Sequence, residues 1–263
     1  MKKFKVASIE APLYETSGLA SSQNILFSIN DGGNPSHLYT LDSIGKIIQT
    51  ITLPFPNTDW EAITTDDHSL YIGDFGNNSG KRDVFTIFKI KTPTDSTATF
   101  SKIRFTYQNQ TDNLTPYQHD FDCEAMVYHN QQIHIFTKNW LSNTTTHYSL
   151  SSLSTDVQNL QALENYATNY LVTDAYIHQN TLYLIGYTRS GSCFLSSFEL
   201  EDGKLFFSKP LKKHRLGSVL KLGQIEGITA TDQGLYISAE GIKKSFLNIK
   251  PTLYFIPFSA LKD

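Results

Sequence analysis

Cysteine is scarce in this chain: Cys123 and Cys193 are the only two among 263 residues. They allow at most one bridge, and their spacing matches no thiolate metal centre, so neither a disulfide framework nor a cysteine zinc site organises the fold. Cys123 falls inside an apolar strand pattern and is expected to be a buried free thiol; whether the two pair stays open. Long apolar runs are missing as well. No segment approaches the roughly 18 residues of a membrane span. The Met-Lys-Lys-Phe-Lys-Val start has the positive charge of a signal peptide without the apolar run that should follow. The expectation is a soluble monomer with no membrane partner, either cytoplasmic or secreted after loss of a leader. Basic charge is also in short supply, with 22 Lys and Arg against 25 Asp and Glu. That balance excludes the electrostatic footprint of a nucleic-acid binder. The densest basic stretch, Lys209-Pro-Leu-Lys-Lys-His-Arg215, reads as a solvated hairpin turn. No long amphipathic helix is written in the chain. Its best candidate, Thr155 to Thr168, reads equally as one helical turn or as the outer strand and loop of a sheet.

What the chain does have is strands. Hydrophobic residues make up 40% and aromatic residues 13%, enough for one sizeable core. Short alternating segments such as Ile25–Ile29, His37–Leu41 and Ile47–Leu53 recur between Gly, Asn, Asp and Pro turns. One pattern returns five times: a polar residue opens a strand of small residues, a turn follows, and then comes a strongly apolar strand. The five starts are Glu15-Thr-Ser-Gly-Leu-Ala20, Asp59-Trp-Glu-Ala-Ile-Thr64, Asp122-Cys-Glu-Ala-Met-Val127, Val172-Thr-Asp-Ala-Tyr-Ile177 and Gln224-Ile-Glu-Gly-Ile-Thr229. Aligning Ser17, Glu61, Glu124, Thr173 and Glu226 gives steps of 44, 63, 49 and 53 residues. Such steps suit four-stranded propeller blades of about 40 to 50 residues. The long step calls for an insertion, for which the polar loops Gly76–Lys81 and Gln108–His119 offer room.

The predicted fold is therefore all-β, a single five-bladed β-propeller spanning residues 1–263. The last repeat is one strand short, and Phe4–Glu10 has no blade of its own, so this segment is expected to close the ring as the outer strand of the fifth blade. A β-sandwich leaves the fivefold return unexplained; a sixth, degenerate blade is the rival within propellers.

Equivalent positions of inner strands converge on the propeller axis. Glu61, Glu124 and Glu226, with the hydroxyls of Ser17 and Thr173, are thus expected to share a narrow space. Three carboxylates there must bind protons or a cation. Calcium takes six to eight oxygens and suits this set better than magnesium, and the lack of an aligned His or Cys disfavours zinc. The competing reading pairs the glutamates with basic residues, Lys138 first. Asp122 and Asp174 are expected to face neighbouring blades or loops. The turns after the second strands form a mouth that includes Asn30, Asp31, Asp74, Lys138, Tyr187, Arg189 and Glu240. That lining suits a polar small molecule or a sugar. Were it an enzyme, Asp31, Asp74 or Glu240 would serve as base and Lys138 would stabilise negative charge. Taken alone, the Asn30–Asn34 segment is equally a simple turn.

The five starts resemble those of the calcium-activated nucleotidases, the salivary-type apyrases, whose inner strands open with Ser, Glu, Glu, Ser and Glu. The matching residues are Ser17, Glu61, Glu124, Thr173 and Glu226. The resemblance implies a five-bladed propeller with calcium on its axis. It breaks at the mouth. Where that family carries an Asp-Asp-Arg-Thr-Gly type turn, this chain has Asn30-Asp31-Gly32-Gly33. Lys138 stands where the family has an Arg pair, and Tyr187-Thr188-Arg189 where it has a Lys. A polyphosphate needs clustered cationic donors, so the calcium site is carried over and the nucleotidase activity is not. The chain also looks like bacterial proteins of unassigned role that share its Asp-Trp-Glu start and Gly-Asp-Phe-Gly-Asn-Asn turn. Three functions follow: a calcium-binding module or hydrolase with a polar ligand, a non-catalytic interaction propeller, and a calcium-dependent phosphohydrolase using Arg189, Arg82 and Lys138.

Overall fold

The computed structural model describes residues 1–23, 25–66, 68–91, 99–112, 114–244 and 247–261. Its strands form five antiparallel blades around a central channel. After β1 (Lys5–Ser8), the first blade runs from the axis outward as β2 (Thr16–Ser22), β3 (Ile25–Asn30), β4 (His37–Leu41) and β5 (Ile47–Thr52). The second contains β6 (Trp60–Thr65), β7 (Ser69–Asp74), β8 (Phe85–Lys91) and β9 (Phe100–Tyr107). The third comprises β10 (Cys123–His129), β11 (Gln132–Thr137) and β12 (Thr145–Ser151), followed in sequence by β13 (Val157–Leu160) and β14 (Glu164–Tyr166). The fourth is β15 (Leu171–His178), β16 (Thr181–Tyr187), β17 (Ser192–Glu199) and β18 (Pro210–Ser218). The fifth holds β19 (Gln224–Thr231) and β20 (Gly234–Glu240); a small hairpin of β21 (Ile242–Lys244) and β22 (Leu247–Ile249) then leads to β23 (Thr252–Pro257).

The ring closes as the short last repeat requires. β1 pairs antiparallel with β23, with Lys5 opposite Tyr254 and Ser8 opposite Thr252, and completes the fifth blade. Neighbouring inner strands touch all the way round, β2 against β6, β6 against β10, β10 against β15, β15 against β19 and β19 against β2.

The core is five cores, one in each interface between blades. Along β8, Phe85 and Ile87 face the third blade, while Phe88 and Ile90 face the first. Both faces of each blade are buried, which is why the middle strands read as nearly continuous apolar runs and not as a half-polar alternation. Phe55, Trp60 and Phe88 form the aromatic part of the first interface, with Phe55 and Phe88 stacked at 4.0 Å.

The stretch from Thr155 to Thr168 resolves into two strands that serve different blades. β13 runs parallel to β9 and adds a fifth strand to the second blade, with Val157 opposite Arg104 and Leu160 opposite Tyr107. β14 returns to pair with β12. This strap ties blades two and three together. Both cysteines are buried and free. No helix among the described residues is long and apolar enough to cross a membrane.

Candidate functional site

Each inner strand carries one irregularity in its pairing with the second strand, and it falls at the same place in all five. Trp60 pairs with Asp74 and Ala62 with Gly73, which leaves Glu61 as the extra residue. Glu124, Thr173 and Glu226 are the extra residues of β10, β15 and β19 in the same way. In β2 the register slips between Thr16 and Leu19, across Ser17 and Gly18. A β-bulge leaves one residue outside the ladder and re-aims its side chain. Here the five bulged residues are the ones at the sequence-aligned positions.

Four of these side chains, those of Ser17, Glu61, Glu124 and Glu226, line one cavity of about 280 Å³ at the channel mouth. The fifth, Thr173, spends its hydroxyl on the Ile225 carbonyl at 2.6 Å and is not part of the lining. Among the described residues, six carboxylates line the cavity, those of Glu15, Asp31, Glu61, Glu124, Glu226 and Glu240, against a single cation, Lys138.

The cavity divides into three chemical quarters. On the side of blades one and two, the Ser17 hydroxyl donates to Glu61 Oε2 at 3.2 Å. Asp31, Asp59 and Glu61 offer carboxylate oxygens within 4.8 Å of one another. Oxygens on opposite sides of a calcium ion lie at most about 5 Å apart, so this trio fits one cation. Local structure holds it in place. Asn57 Nδ2 donates to the Asn30 and Asp31 carbonyls, and the Asn57 side-chain oxygen accepts the Trp60 N–H. The first-blade turn is thereby pinned to the start of β6. Gly76 lies so close to this trio that a Cβ there would sit 2.5 Å from Asp59 Oδ2.

On the side of blades three and four, Lys138 Nζ meets Glu124 Oε1 at 3.1 Å, with both side chains buried. The ammonium also lies 5.1 Å from the Trp140 ring and 5.5 Å from that of Tyr187. Asp122 fixes this arrangement, taking the Trp140 indole N–H at 2.6 Å and the Asn77 N–H at 2.5 Å. On the fifth blade, Gln224 bridges Glu226 at 3.4 Å and Glu240 at 2.8 Å, and the Tyr187 hydroxyl donates to Glu226 at 3.1 Å.

Burial governs the protonation of this ring. It pushes Glu226 up to about 7 and Glu240 up to about 8, and repulsion from Glu226 adds to the shift at Glu240. Asp31 and Asp59 are each raised to about 6, again by burial first. Glu61 and Glu124 are both held well above the usual carboxylate range by burial. Burial works against the Lys138 ammonium, but Glu124 outweighs it, and Lys138 stays charged.

Of the other residues expected at the mouth, Asp31, Tyr187 and Glu240 line the cavity. Asp74 does not: its carboxylate faces Arg82 at 2.5 Å and accepts the Thr58 N–H at 3.2 Å. Asn30 is buried beside the mouth and donates to the Pro12 carbonyl. Arg189 packs over Trp140 at 5.4 Å and donates to the Trp140 carbonyl. Asp174 accepts N–H groups from Ala175 and from Ile228 of the next blade, so it joins blades, as expected. Sequence reasoning did not place Asp59 in the site, although Asp59 and Asp122 stand at equivalent positions two residues before aligned glutamates. Tyr117 and Gln224 were also missed.

The fold and its ring of inward-turned bulges define a five-bladed β-propeller. No family model matches the chain, and no curated protein is similar to it. The nucleotidase resemblance therefore rests on the inner-strand starts alone. Solved structures share the fold. The chain is similar to an exo-β-1,3-galactanase from Phanerochaete chrysosporium, with a TM-score of 0.61 and 10% identity over 98% of this chain and 65% of that one. An exo-β-1,3-galactanase from Clostridium thermocellum gives 0.59 at 10% identity, covering 91% and 58%. A putative glucose dehydrogenase from Thermus thermophilus gives 0.54 at 8% identity, covering 95% and 99%. The chain thus spans less than two thirds of these galactanase chains, and at such identities the likeness is one of fold.

Proposed function

We propose that this propeller binds a divalent cation, calcium in preference, on the Asp31–Asp59–Glu61 side of the channel, and a small polar ligand in the mouth beside it. One observation carries the reading: among the described residues, six carboxylates line a cavity at the channel mouth that contains one lysine. Charges of one sign crowded into low dielectric must be neutralised by protons or by a counter-ion. The donor set favours a hard cation. It is all oxygen, with no histidine or cysteine among the described residues of the lining. Ser17 and waters would complete the shell. Tyr117 and Trp140, whose rings meet edge to face at 5.0 Å, give the ligand an aromatic wall of the kind that suits a sugar. A phosphohydrolase finds no support here, because a polyphosphate would meet this carboxylate ring with one lysine to hold it.

Calorimetric titration with calcium tests the reading, with thermal melting as the second readout. An ion at 100 times its Kd stabilises by about 2.7 kcal/mol. For a chain of this size that is roughly 5 to 11 °C. No heat and an unchanged melting temperature would remove the ion from the account.

Hydrolysis is a second reading, favoured by the position of Glu240. This carboxyl lines the cavity with Asp31 and is oriented by Gln224, which gives a proton donor and an acceptor in one mouth. Its test is release of nitrophenol from aryl glycosides in calcium, lost in Glu240→Gln. No release in any glycoside leaves a binding protein.

A further inference from the structure

The cavity already holds one ammonium group, its own. Lys138 Nζ sits against Glu124 at 3.1 Å, between the rings of Trp140 and Tyr187. Carboxylate on one side and aromatic faces on the others is the chemistry by which proteins hold organic cations. The fifth-blade quarter repeats part of that chemistry without a cation. Glu226 is 7% exposed and lines the cavity. Its Oε1 takes the Tyr187 hydroxyl and Gln224, while no protein donor among the described residues reaches Oε2. Glu240 shares the Gln224 amide, and no Lys or Arg among the described residues forms an ion pair with either glutamate.

Charge counting points the same way. Of the six lining carboxylates, Lys138 compensates one. A divalent ion in the Asp31–Asp59–Glu61 quarter compensates two charges more. Glu15, Glu226 and Glu240 still face the cavity without an ion-pair partner among the described residues, and of these three Glu226 and Glu240 lie together on the Gln224 amide.

We propose that the mouth selects a small ligand bearing a primary ammonium group, an amino sugar or a short diamine, with its nitrogen between Glu226 and Glu240 and its carbon skeleton against Trp140 and Tyr117. The inference rests on the reading of the mouth as a ligand site, but it does not need the ion. Three features set the selectivity. The carboxylates attract an ammonium, they give a neutral sugar only hydrogen bonds, and they repel an anion.

The test is calorimetric titration of the full chain with D-glucosamine, putrescine, D-glucose and glucose phosphate, in saturating calcium and again after chelation. Glucosamine or putrescine is expected to bind at least about tenfold more tightly than glucose, a difference of about 1.4 kcal/mol, and glucose phosphate to give no heat. The relative affinities of the two amines tell an amino sugar from a diamine. Glu240→Gln keeps the side-chain shape and a partner for Gln224, and should remove the amine preference while leaving the calcium titration unchanged. Raising the salt concentration should weaken the amines and not glucose. Equal affinity for glucose and glucosamine, tighter binding of glucose phosphate, or no heat from any probe overturns the inference. Amine preference without a calcium signal supports it and removes the ion; a calcium signal without amine preference does the reverse.

Discussion

Lys138→Met is the perturbation whose consequence is easiest to work out. Lys138 and Glu124 form an ion pair at 3.1 Å with side chains only 7% and 5% exposed. Methionine keeps the length of the stem and its packing against Trp140 and Tyr187, and it deletes the charge. Removing one partner of a buried pair strands the other, at about 3–5 kcal/mol. For this chain the loss corresponds to roughly 6 to 20 °C in melting temperature. Its pH dependence follows from the direction of the Glu124 shift. Burial raises this carboxyl well above its usual value, and the loss of Lys138 raises it further. A carboxyl with a raised folded pKa destabilises above that pKa, and the penalty fades as pH falls and the group takes a proton. The deficit of the variant should therefore be largest near pH 8 and shrink toward pH 5. Guanidinium denaturation of both proteins across that range, in chelator, measures it. A variant as stable as the parent at pH 8, or a deficit that grows on acidification, would refute the reasoning.

Three further outcomes are expected. In chelator, the parent protein should lose stability as pH rises from about 4.5 to about 7 and level off above that. Burial pushes Glu226 up to about 7 against an ordinary 4.5, which is roughly 3 kcal/mol over that window at about 1.4 kcal/mol per pH unit; melting curves should show the fall, and a stability that is flat or rises from pH 4.5 to 7 would contradict it. Gly76→Ala places a methyl against Asp59 and Glu61, so the variant should still melt cooperatively but lose the calcium-induced rise in melting temperature; an intact rise would place the ion elsewhere. Leu160→Ala removes a buried anchor of the strap between blades two and three and should cost about 2–5 kcal/mol by denaturant titration. A cost below about 1 kcal/mol would mean the strap is decoration.

Much of this was legible in the sequence because a propeller repeats its local rules. The start pattern returns five times, and each return became an inner strand beside the next. The unpartnered Phe4–Glu10 segment and the short last repeat together pointed to closure, since one supplies the strand the other lacks. Two things were hidden. Asp59 lies just before β6, so its approach to Asp31 is set by the docking of the first-blade turn through Asn57, and Glu61 joins them where the β6 ladder slips. Nothing in residue type announces where a ladder slips; the slip is fixed by pairing with β7. The strap was invisible for a similar reason. Val157–Leu160 is a short, weakly apolar segment, and its partner is the edge of another blade, a choice made by tertiary packing and not by propensity. Lys138 entered the sequence reading as a partner for the glutamates only in the alternative to a metal ion. Among the described residues it forms an ion pair with Glu124 alone, which the repeat pattern does not single out from Glu61 and Glu226.

The most direct measurement is a crystal structure grown in calcium, read at the channel mouth. The account predicts a peak with six to eight oxygen neighbours at about 2.3–2.6 Å, carboxylates of Asp31, Asp59 and Glu61 among them, and Lys138 still on Glu124. Water alone between those three carboxylates, at crystallisation concentrations of calcium, would contradict it.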